Sequence, residues 1–431
     1  MTFKWIYVLS LAAATIVPTP SLSQTAEPAT PDTSAASTEA PAELPPIVVT
    51  GEKVKRTLNR QAKTVVSSPA PQVAPIAEPI SADLDAAIVQ GVSTSSVVIY
   101  TTADIQRQAA KDTFSVFETT PNAAVSRDQR DIVIRGVPKD GFAANQDVLT
   151  LSQNDLITTY LDGVPISTWA GATSLWDIQQ VEIFRGVQTT NFGRGALAGA
   201  VVIKSADPTY KFEAAGQASY ATFDTYSVSA IMNAPIVAGQ SAVRISVDQS
   251  GTDGFIDNIT AGVKENPDDH LTLRAKALLE PDDATKAIVS YTHSEREKGG
   301  GFVDLSLFPG RYANDADVPE RINKTVDAAS VSITHALSNT LSLEGLSALG
   351  VEDAARTLDG DGSALSLIAA RVDEDLAQAS QEAKLVWNDP TLPFRGFAGA
   401  YYRYFDREAR NNIDATGLGL PFSALFTSDR T

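Results

Sequence analysis

The 431-residue sequence predicts an α+β domain followed by antiparallel strands of a transmembrane β-barrel. Three observations carry that expectation. Residues 92–208 hold short β-prone runs punctuated by glycine-bearing turns, with two small helical stretches ahead of them. From residue 211 onward, partly alternating strands are joined by connections that are short and long by turns. Outside the N-terminus no apolar run reaches the ~18 residues of a spanning helix, which excludes a helical transporter but not a barrel, whose strands alternate.

Composition narrows the function classes. A formal net charge of -18 argues against nucleic acid, which is met by basic patches. With no cysteine, disulfide frameworks, iron–sulfur sites and thiol catalysis are excluded. At the N-terminus Lys4 precedes a short apolar stretch over residues 5–17, and Ser21, Leu22 and Ser23 offer a small-x-small cleavage site. This is the layout of a secretory signal peptide over residues 1–23. Residues 24–91 then read as a periplasmic tether, since 25–46 are almost wholly Ala, Pro, Thr, Ser and Glu and cannot offset chain entropy. Within the tether, Ile47, Val48, Val49 and Thr50 form an isolated β-prone tetrapeptide between Pro46 and Gly51. On the residues alone two readings stand: a strand to be added to another protein's sheet edge, or a chance apolar patch.

Folded structure is expected from residue 92. A strand over 95–100 leads into a helix capped by Thr102 and Asp104, and residues 113–118 form a second helical stretch stopped by Pro121. Strands follow at 131–135, 156–161, 181–184 and 200–204, and the turns contain Gly136, Gly163 and Gly186.

Four blocks in order carry a resemblance. They are Thr119 to Asn122 (TTPN), Ile132 to Gly136 (IVIRG), Tyr160 to Pro165 (YLDGVP), and Asp177 to Gly186 (DIQQVEIFRG) continued by Phe192 to Ile203. Together they resemble the plug of TonB-dependent outer-membrane receptors, in a siderophore-receptor-like form. Val187 departs from the proline common there, and 144–154 is a longer insertion than the family pattern. The resemblance implies a plug over 92–208, the start of a barrel over 209–431, and a TonB box near 47–51. It also favours the strand-addition reading of Ile47, Val48, Val49 and Thr50 as the TonB-binding peptide.

Arg135, Glu182, Arg185 and Arg194 are candidates for plug–barrel ion pairs, because charges on a plug face charged walls or trapped water. The alternative for each arginine is an ordinary surface residue. Gly136, Asp162, Gly163, Gly186 and Gly193 are read as turn residues that allow close backbone approach.

Other motifs fail on inspection. The glycines at 193, 195 and 199 miss dinucleotide spacing, and a β-branched run follows where a helix is needed. Asp359 to Ser363 (DGDGS) lacks the remaining ligands of a calcium loop. His270, His293 and His335 stand far apart, and no nucleophile elbow is present, so no enzyme, metal or cofactor is expected.

Barrel strands are expected at 212–221, 226–235, 242–249, 271–279, 286–293, 328–336, 341–349, 382–387 and 394–405. Connections 237–240, 280–285, 337–340 and 388–393 are short, whereas 250–270, 294–327 and 350–381 are long, as periplasmic turns and extracellular loops are. The short hairpin at 222–224 is an exception among the outer connections. Tyr220, Tyr226, Tyr291, Trp387 and Tyr404 fall toward strand ends, where interfacial aromatic girdles belong. About nine strands result, against about 22 in plugged transporters, so the chain reads as the N-terminal part of a barrel ending inside an outer loop.

The resemblance implies active uptake of a scarce ligand, most often an iron–siderophore complex, by a monomer. TonB and its inner-membrane energising complex, outer-membrane lipid and lipopolysaccharide would be its partners. A non-functional fragment, a passive channel and a binding protein are the alternatives.

Overall fold

The computed structural model describes residues 96–125, 132–138, 156–167, 173–188, 192, 195–389 and 396–418, and the backbone of 423–430. The expected signal peptide, the tether with residues 47–50, the 144–154 insertion, Gly193 and Arg194 lie outside the described residues.

The first part comprises β1 (Ser96–Thr101), α1 (Thr102–Arg107), α2 (Thr113–Thr119), β2 (Ala123–Val125), β3 (Ile132–Ile134), β4 (Val137–Pro138), β5 (Ile157–Leu161), β6 (Val164–Ile166), β7 (Ile178–Arg185) and β8 (Gly199–Ser205). A reciprocal cap starts α1: the Thr101 hydroxyl accepts from the Asp104 amide, and the Asp104 carboxylate accepts from the Thr101 amide at 3.0 Å. The cap thus sits at Thr101, one residue before the expected Thr102. Five strands pair in the order β1-β7-β8-β5-β6, with β5 and β8 parallel. A separate β2-β3-β4 sheet lies beside them. Val116, Phe117, Ile134, Ile157, Val181, Ile183 and Ile203 are buried in a single core, which continues onto Val326, Ala328 and Ala348 of the second part.

That second part is a ten-stranded antiparallel sheet. Its strands are β9 (Glu213–Ala221), β10 (Thr225–Val237), β11 (Ser241–Thr252), β14 (Asp268–Asp282), β15 (Thr285–Gly299), β17 (Arg321–Ser338), β18 (Leu341–Asp359), β19 (Ala369–Trp387), β20 (Gly396–Asp414) and β21 (Ser423–Arg430). Three two-residue strands, β12 (Asp257–Asn258), β13 (Val263–Lys264) and β16 (Ala313–Asn314), belong to the connections at one end.

Two expectations change. The connection expected over 350–381 shrinks to 360–368, because β18 and β19 run on in register from Gly350↔Gln378 to Asp359↔Ala369. Both faces are polar there (Glu352, Asp353, Arg356, Asp373, Glu374, Asp375), so no apolar alternation marks the strand. Residues 423–430 pair with β20 from Arg407 to Asp414, rather than lying in an outer loop, and make a tenth strand.

The alternation along the sheet is inverted relative to a water-soluble protein. On β14, His270, Thr272, Arg274 and Lys276 are buried on the face that meets the first part, while Leu273 and Leu279 stand exposed on the other. Likewise Ser290 and Thr292 point in where Val289 and Tyr291 point out, and Ser330 points in where Val331 and Ile333 point out. Apolar outside and polar inside is the signature of a barrel wall facing lipid.

Candidate functional site

The seam between the first part and the inner face of the sheet is built on the Asp162–Gly163 turn. Both residues take positive φ, 47° and 83°, so the chain reverses between β5 and β6 within two residues. Gly163 is needed for a second reason: a Cβ there would stand 2.9 Å from the Leu346 side chain of β18. The turn therefore abuts the wall directly. The Asp162 carboxylate accepts from the Ser205 amide at 3.0 Å and its hydroxyl at 2.6 Å, tying the turn to the end of β8.

Lys276 of β14 reaches this turn from the wall. Its ammonium donates to Asp162 Oδ1 at 2.9 Å, Asp207 Oδ1 at 3.0 Å and the Ser205 carbonyl at 2.9 Å. All three donors of the ammonium are thus used by the turn, the end of β8 and the segment leading into β9. Ser330 of β17 donates to the Asp162 carbonyl at 2.8 Å from the other side.

A second node sits before β7. Arg244 of β11 forks onto Asp177, with Nε 2.9 Å from Oδ2, and both side chains are almost fully buried. Arg274 of β14 donates to the Trp176 carbonyl at 2.6 Å and the Ser174 carbonyl at 2.8 Å, while the Ser174 hydroxyl donates to Asp248 of β11 at 2.6 Å. A third node follows β6: the Ser167 amide donates to Glu352 Oε1 at 2.8 Å, Glu352 pairs with Lys324 at 3.1 Å, and Gln378 donates to the Pro165 carbonyl. Lys276, Arg244 and Lys324 are buried but paired with carboxylates, which is the condition for keeping ions out of water, whereas Arg274 is held by two carbonyls.

The residues singled out from the sequence are placed as follows. Glu182 is buried in β7 and accepts from Gln180 Nε2 at 2.6 Å, within the same strand. Its carboxyl is pushed above the usual range by burial, against the lowering pull of the Gln180 bond and of Lys204. Arg185 donates to the Pro121 carbonyl at 2.7 Å, also within the first part. Arg135, at φ 52°, is exposed beside Gly186, where a Cβ would lie 3.1 Å from its guanidinium. Among the described residues none of these three forms an ion pair with the sheet. Gly136 and Gly186 have positive φ.

The ion pairs across the seam join other residues, the carboxylates Asp162 and Asp177 of the first part to Lys276 and Arg244 of the wall. Asp177, Arg244 and Lys276 were not singled out from the sequence. A usable signal was present: polar side chains at every second position, Arg244, Ser246, Asp248 and His270, Thr272, Arg274, Lys276, on strands whose other positions are largely apolar. Among the described residues no group of three or more His, Asp or Glu is arranged to hold a metal, and no helix is long and apolar enough to cross a membrane.

A small domain is thus held by ion pairs and hydrogen bonds against the polar face of a sheet whose other face is apolar. Residues 90–200 match the family model of the TonB-dependent Receptor Plug Domain. The chain therefore carries a plug domain of the TonB-dependent receptor family, followed by strands resembling the barrel of those receptors. The pesticin receptors of Yersinia enterocolitica and Yersinia pestis are each 27% identical to it over 131 residues, 30% of this chain and 20% of theirs. Among solved structures, the ferric yersiniabactin uptake receptor FyuA of Yersinia pestis superposes with a TM-score of 0.66 at 17% identity, over 78% of this chain and 52% of that one. The siderophore receptor PiuA of Acinetobacter baumannii gives 0.58 at 13% identity, over 78% and 53%. The chain thus spans about half the length of the structures it matches, and the structural likeness is one of fold.

Proposed function

We propose that this chain is the plug and leading barrel wall of a TonB-dependent transporter in the outer membrane, reached after export by a signal peptide. The uptake is active, and an iron–siderophore complex is the favoured cargo. The observation that carries the reading is the seam: a plug held by Lys276, Arg244 and Arg274 against a wall whose opposite face is apolar. A passive channel needs no such stopper. The cargo class is supported by the likeness to receptors named for ferric yersiniabactin uptake and for siderophores.

In this reading Ile47, Val48, Val49 and Thr50 add as a strand to TonB, which transmits work from the inner-membrane proton gradient to the plug. Ordered donors and acceptors across the seam hold the plug until that pull arrives. The protein supplies no chemistry to the cargo. The test is deletion of Ile47 to Thr50 in the full-length protein, with a panel of radiolabelled ferric siderophores offered to cells. Binding of the cognate complex should persist while uptake falls to the level of cells treated with a protonophore. Uptake unchanged by the deletion would overturn coupling to TonB.

A further inference from the structure

The two longest connections at one end of the sheet, 253–267 and 300–320, are joined by more than proximity. β12 of the first pairs in parallel with β16 of the second, Asp257 with Ala313 and Asn258 with Asn314. Two backbone bonds cross between them: the Asp257 amide donates to the Tyr312 carbonyl and the Ile259 amide to the Asn314 carbonyl, each at 2.9 Å. Asn258, Asn314 and Glu265 at this junction are at most 2% exposed. The Glu265 carboxylate accepts from Asn258 Nδ2 at 2.8 Å within its own connection and from the Glu320 amide at 2.7 Å in the other. Arg321 closes the joint by donating to the Glu265 carbonyl at 3.1 Å and the Lys264 carbonyl at 3.0 Å. The connection 360–368 is drawn in through the Asp317 amide, which donates to the Ser363 carbonyl at 3.0 Å.

We infer that connections 253–267 and 300–320 form one rigid wall, coupled through the buried Glu265 carboxylate, so that neither moves without the other. A free loop satisfies its polar groups with water, whereas these satisfy each other out of water, so parting them strands donors and acceptors on both sides. The wall also fixes an aromatic ridge drawn from three connections. Phe223 and Phe255 lie 5.6 Å apart, and Phe255 meets Tyr312 edge-on at 5.3 Å. Whatever reaches this end of the receptor meets a preformed surface there. The inference is independent of the cargo.

These 431 residues hold no cysteine, so none of them competes with cysteines introduced here for spin labels. Labels at the exposed Thr260 and Leu307, one on each connection, report their separation by double electron–electron resonance in the full-length protein in detergent. The parent should give one narrow distance distribution. Glu265→Ala should at least double its width and speed exchange of both the Asp257 and the Glu320 amides about tenfold, since the Glu320 amide loses its acceptor and the Asn258 side chain beside Asp257 loses its own, loosening the Asp257 to Tyr312 bond. Lys264→Ala, which removes only the exposed pair with Asp257, should leave both readouts unchanged. If Glu265→Ala fails to assemble, Asn258→Ala removes the bond that orients the Glu265 carboxylate, and with it the acceptor of the Ala261 amide, and should broaden the distribution less. A broad or two-peaked distribution in the parent overturns the inference, as does exchange that quickens on one connection alone.

Discussion

Replacing Lys276 by Met removes one cation from beneath two carboxylates and a carbonyl. Side-chain exposure is 5% for Lys276, 8% for Asp162 and 20% for Asp207, so the stranded charges stay largely out of water. Breaking a buried pair from one side costs about 3–5 kcal/mol. The lower end applies here, because Asp162 keeps its two bonds from Ser205 and Asp207 keeps Lys204 at 3.1 Å. About 3 kcal/mol corresponds to roughly 150-fold in an opening equilibrium. The Asp162 amide, which donates to the Ile203 carbonyl at 2.9 Å, reports that opening by hydrogen exchange in the purified full-length protein. Its exchange should accelerate by about that factor in Lys276→Met. Adding Asp162→Asn should restore roughly tenfold by removing one stranded charge. If the amide stays within about threefold of the parent, or if the second substitution restores nothing, the seam is not held by this charge cluster.

Other outcomes follow from the same geometry. Arg244→Met and Asp177→Asn should each loosen the segment before β7, and their double-mutant cycle by exchange should show coupling of about 1–3 kcal/mol, with strict additivity counting against the pair. Ile333→Arg on the apolar face should cost about 2–4 kcal/mol and reduce the heat-modifiable folded fraction on gels, whereas Ser332→Arg, one residue earlier and on the opposite face, should fold nearly as well as the parent. For pH, the raised pKa of buried Glu182 means the folded plug holds that proton more tightly than the unfolded chain. Its stabilising contribution is therefore present below the ordinary carboxylate range and lost as pH rises through the raised value. Glu182→Gln should accordingly slow plug exchange at pH 7, with the gain fading toward pH 4; a gain that grows on acidification would contradict this sign.

How much of this was legible depended on whether a signal was local. The plug strands and both helices announce themselves in β-branched runs and turn glycines, and β7 and β8 fall within a few residues of their expected bounds. Strand extensions at 350–359 and 369–381 did not, because a strand polar on both faces has no hydropathic period to detect. Asp162 was read for its turn and not for its charge, since its partner Lys276 lies 114 residues away and only the tertiary fold brings them together. Arg185 looked like an anchor by charge alone, yet a carbonyl of its own domain, Pro121, was nearer. A sequence states which residues carry charge, and the fold decides which of them find each other.

Strand order in the wall bears on how the molecule assembles. From β9 to β21, leaving aside the short strands of the connections, each strand pairs with those before and after it in sequence. The wall can therefore extend hairpin by hairpin with little loop-closure entropy at each step. The plug sheet cannot, since β1 must wait for β7 and sets Ser96 opposite Arg185. Among the described residues, the hydrogen bonds from plug to wall discussed above end on strands between β11 and β19. A plug that has found its own register thus meets a berth built from strands that follow one another in sequence, each of which needs only its neighbour to be in place.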